Sequence, residues 1–442
     1  MTTFKASTGR RERQAPRGTG PMTVAAIADE VLVAPLPFHL TAYDGSSTGP
    51  LDSPLGFHIA SRRGLNYMLT APGDLGLVRA YIAGDLELTG IHPANPYPLL
   101  VALSDELHLR RPGLLDIASV AKSLGWSSLK PVAPPPQEAP ARWKRTLHGL
   151  RHSKARDADA IHRHYDVSNE FYEHVLGPSM AYTCAVFPNA DASLETAQEN
   201  KFRLVFDKLD LQPGQRLLDI GCGWGSMVRY AARRGVKALG VTLSAEQAEW
   251  AQRAIVAEGL QDLAEVRFQD YRDVQESGFD AVSSIGLTEH IGVANYPAYF
   301  RSLLTVLRPG GRLLNHCITR PENNSQFKTE AFIDRYVFPD GELTGSGRII
   351  TEMQDAGFEV RHSENLREHY ALTLRGWCAN LERDWDACVA EVGLPTAKVW
   401  GLYMAGSRLG FERNNIQLHQ VLGVKLGEHG AAAVPLRQWW QS

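Results

Sequence analysis

Between Leu217 and Gly225 the chain reads LLDIGCGWG, an apolar run that ends in three glycines at alternate positions. Glycine adopts backbone dihedrals that a Cβ forbids and lets another group come close to the main chain. A strand that ends this way turns sharply, and the following SMVRYAARRG has the pattern of a short helix. The same succession then repeats. QRLLDIGCG is the first strand, VKALGVTLS the second, AEVRFQD the third, FDAVSSIGLTEH the fourth and GGRLLNHCITR the fifth. Helices are expected at AEQAEWAQRAIVAEG and near Tyr296–Leu307. Strands alternating with helices predict an α/β fold, a doubly wound parallel sheet covered on both faces. Beyond Arg348 the pattern predicts mostly amphipathic helix, in TLRGWCANLERDWDACVAEV and VWGLYMAGSRLGFERNNIQLHQVL.

In a doubly wound sheet, ligands bind beyond the carboxyl ends of the strands. Gly221, Gly223 and Gly225 stand at the first such end. A dinucleotide site needs GxGxxG and an acid closing the second strand. Here the spacing is GxGxG and the second strand ends GVTLS, without an acid. That disfavours NAD and FAD. S-adenosylmethionine has no pyrophosphate and suits this loop with Asp219 just upstream. A glycine turn that only packs strand on helix is the plainer alternative.

The chain has 442 residues, enough for two or three domains. Its net charge of -3 gives no global reason to expect nucleic acid. No apolar run approaches the roughly 18–20 residues of a membrane span. The basic N-terminus, MTTFKASTGRRERQAPRGTGP, lacks the apolar core of a secretory signal and reads as a disordered tail, residues 1–22. Five scattered cysteines without a CxxC pair argue against a disulfide framework or a metal site and fit a reducing cytoplasm. Residues 23–127 form a first folded region. In it GDLGLVRAYIAGDLELTG combines a helix-like and a strand-like piece. Residues 128–158 read as a linker, proline-rich in KPVAPPPQEAP and basic in ARWKRTLHGLRHSKAR, with six Lys/Arg and no acid. The basic stretch is either a surface for anionic lipid headgroups or a solvated linker helix. The catalytic region is expected over 159–442.

Several ordered blocks resemble the cyclopropane-fatty-acid synthase family, including the mycolic acid cyclopropane synthases. They are HYDVSNEFYEHVLGPSMAYTCAVF (His164–Phe187), AQENKFRLVFDKLDLQPGQRLLDIGCGWG, GVTLSAEQ (Gly240–Gln247), SIGLTEHIG (Ser284–Gly292), IDRYVFPDGEL (Ile333–Leu343) and HYALTLRGW (His369–Trp377). GLVRAYIAGDLEL extends the likeness into the smaller N-terminal α+β domain of the longer members, which is lipid-binding-like. The resemblance implies an S-adenosylmethionine-dependent methyltransferase fold with helical C-terminal additions. It implies methyl transfer to a cis double bond of an unsaturated phospholipid acyl chain, by an enzyme on the inner face of the membrane. The resulting cation is deprotonated by bound bicarbonate, to a cyclopropane or, after a hydride shift, to a 10-methylene chain.

The family's bicarbonate site carries over to Cys184 and Ile318 through their backbones, and to Glu289, His316 and Tyr370. Cofactor contacts are expected from Tyr182, Asp219, Gly221, Gly223, Thr242, Leu243 and Gln247, with Gln247 reaching a ribose hydroxyl. Trp224 packs near this site or in the core. Family members commonly carry Phe where this chain has Thr288, Ser where it has Thr183, and an apolar residue where it has Asn315. Thr288 and Asn315 flank the expected site of proton loss and leave the product open. A methylene product requires a separate reductase as partner, and a second copy of the chain is a further candidate partner. Two other classes compete: a small-molecule methyltransferase, and a non-catalytic lipid carrier that binds no S-adenosylmethionine.

Overall fold

The computed structural model of the chain describes residues 22–31, 36–71, 74–106, 125, 130–140, 168–323, 331–338 and 341–440. The expected tail to Pro21 and the basic segment 141–156 lie outside the described residues. The first elements are α1 (Val24–Val31), β1 (His39–Ala42), β2 (Ser47–Thr48), β3 (Gly56–Ile59), α2 (Arg62–Thr70), α3 (Leu75–Ile82), β4 (Leu86–Thr89) and α4 (Tyr97–Glu106). There follow α5 (Asn169–Leu176), α6 (Leu194–Leu209), β5 (Arg216–Ile220), α7 (Ser226–Ala232), β6 (Lys237–Thr242), α8 (Ala245–Ala257), β7 (Ala264–Phe268) and β8 (Phe279–Ile285). The chain continues through α9 (Thr288–Ile291), α10 (Tyr296–Val306), β9 (Leu307–Thr319), α11 (Ser346–Ala356), β10 (Phe358–Asn365), α12 (Arg367–Arg383), α13 (Trp385–Val392), α14 (Leu394–Glu412) and β11 (Gln417–Lys425).

Contacts divide the chain into two units: one takes Met1–Pro140, Glu330–Val337 and Leu381–Leu409, the other Ala141–Thr329, Phe338–Asn380 and Gly410–Ser442. This differs from the expected succession of whole segments, for local reasons within the first unit. Lys398 donates to the Tyr81 carbonyl at 3.3 Å, and the Arg408 guanidinium stacks 3.6 Å from the Tyr97 ring. Buried Glu138, in the proline-rich stretch, accepts from Arg79 at 2.6 and 2.7 Å, from Arg335 at 2.6 and 2.9 Å, and from Tyr336 at 3.0 Å. The described part of the expected linker is therefore anchored through Glu138. This unit carries a four-stranded sheet in the order β2-β1-β3-β4 and an apolar cleft of about 690 Å³ lined by Phe57, Leu77, Leu99, Leu103 and Leu402 among others.

In the second unit seven strands run in the order β10-β11-β9-β8-β5-β6-β7. The five predicted strands pair in parallel, with β5 between β6 and β8. β10 and β11, absent from the sequence reading, add two antiparallel strands beyond β9. The C-terminal region, expected to be mostly helix, thus also contributes two strands. QLHQVLGVK is buried along nearly its whole length, so it lacks the alternation that marks a strand.

Alternation sorts the sheet's side chains onto two faces. Leu217, Leu314 and Leu422 pack with Phe202, Val205 and Leu209 of α6 and with Val228 and Ile255. Their neighbours Leu218, Leu313 and Val421 pack on the other face, with Tyr299 and Phe300 of α10 and Met353 of α11. Each fully buried aliphatic side chain here contributes roughly 1.5–3 kcal/mol. No helix among the described residues is long and apolar enough to cross a membrane.

Candidate active site

The strand order reverses between β5 and β8, and a crevice opens at the carboxyl ends of strands at such a point. A cleft of about 530 Å³ lies there, lined by Tyr182, Thr183, Lys201, Asp219, Gly221, Gly223, Trp224 and Gln247 among others. Gly223 has φ +54°, and a Cβ added to it would meet nothing within 4 Å. Its open side is consistent with a ligand approaching the backbone. Gly225 does different work. It starts α7 in the left-handed region at φ +71°, and a Cβ there would press on Ala251 and Val266 at 3.1 and 3.2 Å.

Gln247 is fixed twice. Ser244 caps α8 by accepting from the Gln247 amide at 3.2 Å, which adds about 1 kcal/mol to helix stability. The Thr242 hydroxyl donates to Gln247 Oε1 at 2.8 Å, leaving the Gln247 NH₂ for a ligand oxygen. Thr242 therefore acts through Gln247, and half-buried Leu243 does not line the cleft. Tyr182 sits between the rings of Tyr172 at 5.8 Å and Trp377 at 5.4 Å. Trp224 lines the cleft while donating to Asn169 at 2.8 Å. Asp219 accepts from Ser283 at 2.6 Å, and burial raises its carboxyl to about 7.

Sequence reasoning missed Lys201, although it stood in the quoted block AQENKFRL. It is 1% exposed, and its ammonium donates to the Thr183 hydroxyl at 3.0 Å. Burial lowers it to about 7 against the opposing pull of Cys184 and Asp219, and its charge also acts on His316. Lys201 thus ties the cofactor cleft electrostatically to the expected anion site. Thr183 keeps the hydroxyl that the family's usual Ser would supply. A lysine directly after AQEN, on the face of α6 that carries Phe202 and Val205, was the available signal.

Hydrogen bonds link several of the expected anion ligands in succession. The buried Cys184 thiol lies 3.8 Å from the Leu366 carbonyl, which also accepts from the Tyr370 amide at 3.2 Å. Leu366 donates to the carbonyl of Leu418, which pairs in register with Ile318. The Ile318 amide donates to Glu289 Oε1 at 2.6 Å. The Ile318 N–H thus orients the Glu289 carboxyl. The Cys184 thiol is pushed far up by burial and is no nucleophile. Tyr370 is held between Phe411, 4.4 Å from its ring, and Trp377 at 6.1 Å.

Among the described residues, Glu289 Oε2 and His316 Nε2 are buried without a hydrogen-bond partner. Such groups are costly to leave unpaired, and they are where a bound polar ligand would be held. Burial raises Glu289 to about 7 and drives His316 well below its ordinary value, with the charges of Lys201 and Lys208 adding to the effect. His316 is therefore neutral at physiological pH. A neutral imidazole and a buried carboxyl that titrates near neutral pH are groups whose chemistry suits a small oxyanion such as bicarbonate. Asn315 is paired within the protein. It follows Leu314 on the alternate face of β9, and its carbonyl accepts from the Thr288 hydroxyl at 2.6 Å.

Residues 152–421 match the family described as mycolic acid cyclopropane synthetase. A probable fatty acid methyltransferase of Mycobacterium tuberculosis is 64% identical over 405 residues, 92% of this chain and 95% of that protein. The cyclopropane-fatty-acyl-phospholipid synthase of Escherichia coli is 35% identical over 268 residues, 60% of this chain and 68% of that one. Among solved structures, a mycolic acid cyclopropane synthase complexed with SAH and CTAB superposes with a TM-score of 0.56 at 30% identity. That match covers 60% of this chain and 97% of the other.

Proposed function

The chain belongs to the mycolic acid cyclopropane synthetase family, and from that premise we propose that it methylates the cis double bond of an unsaturated acyl chain carried on a phospholipid. It is an S-adenosylmethionine-dependent methyltransferase of the cyclopropane synthase type. The acyl-chain substrate follows from the likeness to a fatty acid methyltransferase, and the phospholipid from the synthase named for it.

S-adenosylmethionine supplies the methyl group and bicarbonate, when bound, the base for the proton then lost. Residues around the cleft do the rest. Gly221 and Gly223 let the donor lie against the loop, and the Gln247 NH₂ holds a ribose oxygen. An alkene is a weak nucleophile, so holding the two reactants in line is a large part of the catalysis. His316 Nε2 and Glu289 Oε2 hold the anion, with Tyr370 and the Cys184 backbone as further ligands. The methyl bonds to one alkene carbon and leaves the carbocation on the other, and direct loss of a methyl proton then closes a cyclopropane. The Thr288–Asn315 pair is internally satisfied and offers the cation no free polar group, which favours ring closure over a hydride shift.

The observation that carries this reading is the pair of orphaned buried atoms on Glu289 and His316, in the unit whose sheet ends in the glycine loop. The basic segment 141–156 would bring the enzyme to an anionic membrane surface, a role resting on its charge alone.

The test is vesicles of oleoyl phospholipid with methyl-labelled S-adenosylmethionine, followed by mass spectrometry and NMR of the acyl chains. Label in high-field cyclopropane protons supports the proposal, and label in a vinyl carbon replaces ring closure by the methylene route. Methylation of soluble molecules without a bilayer would mark a small-molecule enzyme, and absence of cofactor binding a lipid carrier.

A further inference from the structure

His316 presents one ring nitrogen to the anion site proposed above, but its other nitrogen leads to a lysine buried inside the fold. Gln420 on β11 is the register partner of His316 on β9, and both are fully buried. Gln420 Nε2 lies 3.1 Å from His316 Nδ1. On the other side, Lys208 of α6 donates to Gln420 Oε1 at 2.7 Å and to Glu364 Oε2 at 2.5 Å. Glu364 is about one-third exposed, whereas the Lys208 side chain is fully buried.

Donor chemistry settles the direction of this chain. An ammonium has only donors, so the Gln420 oxygen faces Lys208 and its NH₂ faces the imidazole. An amide NH₂ also only donates, so His316 Nδ1 accepts. A neutral imidazole that accepts at Nδ1 carries its proton at Nε2, and burial beside Lys201 and Lys208 keeps the ring neutral. The orphaned Nε2 is therefore an N–H donor without an acceptor among the described residues.

We propose that Lys208 and Gln420 are positioning residues that lock His316 as the Nε2–H tautomer, so that it donates to an oxygen of the anion held in the active site. Glu364 holds the Lys208 charge in place. The identity of that anion rests on the proposed bicarbonate reading; the lock itself does not.

The experiment uses the full chain labelled with ¹⁵N-histidine. Long-range ¹⁵N–¹H correlation reads which ring nitrogen carries the proton, and His316→Gln identifies the resonance by its loss. Wild type is expected to show protonated Nε2 and bare Nδ1. In Gln420→Glu a carboxylate accepts from both Lys208 and Nδ1, so the proton should move to Nδ1. Turnover should then fall about 100-fold or more, as when a catalytic histidine is held in the wrong tautomer. Calorimetric affinity for S-adenosylmethionine should stay within about twofold, since the tautomer acts only on the anion. If Gln420→Glu does not fold, Lys208→Met provides the second reading, because it frees the amide to rotate and should give mixed tautomers. A protonated Nδ1 in wild type overturns the lock, and so does an unchanged tautomer or unchanged turnover in Gln420→Glu. Turnover indifferent to bicarbonate removal, with the expected tautomers, supports the lock and removes only the bicarbonate reading.

Discussion

The Thr288 hydroxyl donates to Asn315 Oδ1 at 2.6 Å, and both side chains are fully buried. Asn315 in turn donates to the Cys317 sulfur at 3.2 Å. Two polar residues that each look out of place in the sequence thus satisfy one another on the sheet face away from Leu314. Removing one partner leaves a buried polar atom unpaired, at about 1–3 kcal/mol, whereas replacing both by apolar groups can be nearly neutral. Thr288→Val or Asn315→Leu alone should lower the urea midpoint, and the double variant should recover much of the loss. The cyclopropane fraction should be the same in wild type and in the double variant, neither of which leaves a polar atom of the pair free. A double variant that shifts product toward a methylene would return the pair to the reaction.

Burial of Glu289 makes the stability of the fold depend on pH. Its carboxyl titrates near 4.5 when unfolded and at about 7 in the fold, because burial disfavours the charge. Between those values the folded state holds a proton that the unfolded state has released. Stability therefore falls as pH rises from 4.5 to 7, and stays reduced above that window. Glu289→Gln escapes this loss and should be more stable than wild type at pH 8, by on the order of 1–3 kcal/mol. Its turnover should drop sharply with cofactor affinity nearly unchanged, and the inflection expected near pH 7 in the wild-type pH–rate profile should be absent. Denaturant melts and pH–rate profiles check both halves. Near-wild-type activity would remove Glu289 from the mechanism.

Much of this was legible because it is local. GCGWG after an apolar strand pointed to the place of the cleft, and the five parallel strands followed from their alternation with helices. What was not legible depends on contacts far apart in the chain. Lys201 and Lys208 look like surface charges of an amphipathic helix until α6 is seen to bury them. The Gln420 amide matters only because β11 pairs with β9, and β11 itself is buried along nearly its whole length without the alternation that marks a strand. Glu138 looks like a solvated acid in a proline-rich stretch, but two arginines 59 and 197 residues away enclose it.

The basic stretch before the catalytic region makes a separable prediction. Each Lys or Arg near an anionic surface is worth about 1 kcal/mol. Reversing Arg142, Lys144, Arg145 and Arg151 to Glu should weaken binding to anionic vesicles strongly. Wild-type binding should also fall with salt, because surface attraction is screened over about 10 Å at 0.1 M. Co-sedimentation across a salt series is the measurement. Equal, salt-independent binding by both proteins would leave the segment as a linker.

The glycine loop separates ligand binding from packing at two positions two residues apart. Gly223 and Gly225 both have left-handed backbone, at φ +54° and +71°, so any side chain there adds strain of roughly 1–2 kcal/mol. Beyond that shared strain the two should diverge. A side chain at Gly223 enters open space in the cleft and would stand where the cofactor approaches the loop. A side chain at Gly225 presses on Ala251 and Val266, inside the core. Gly223→Val should therefore abolish S-adenosylmethionine binding in calorimetry while the protein still melts cooperatively. Gly225→Ala should lower the melting temperature further than Gly223→Val does, yet bind the cofactor with nearly wild-type affinity below that temperature. Unchanged affinity in Gly223→Val would sink the assignment of this loop to the cofactor, whatever its effect on stability.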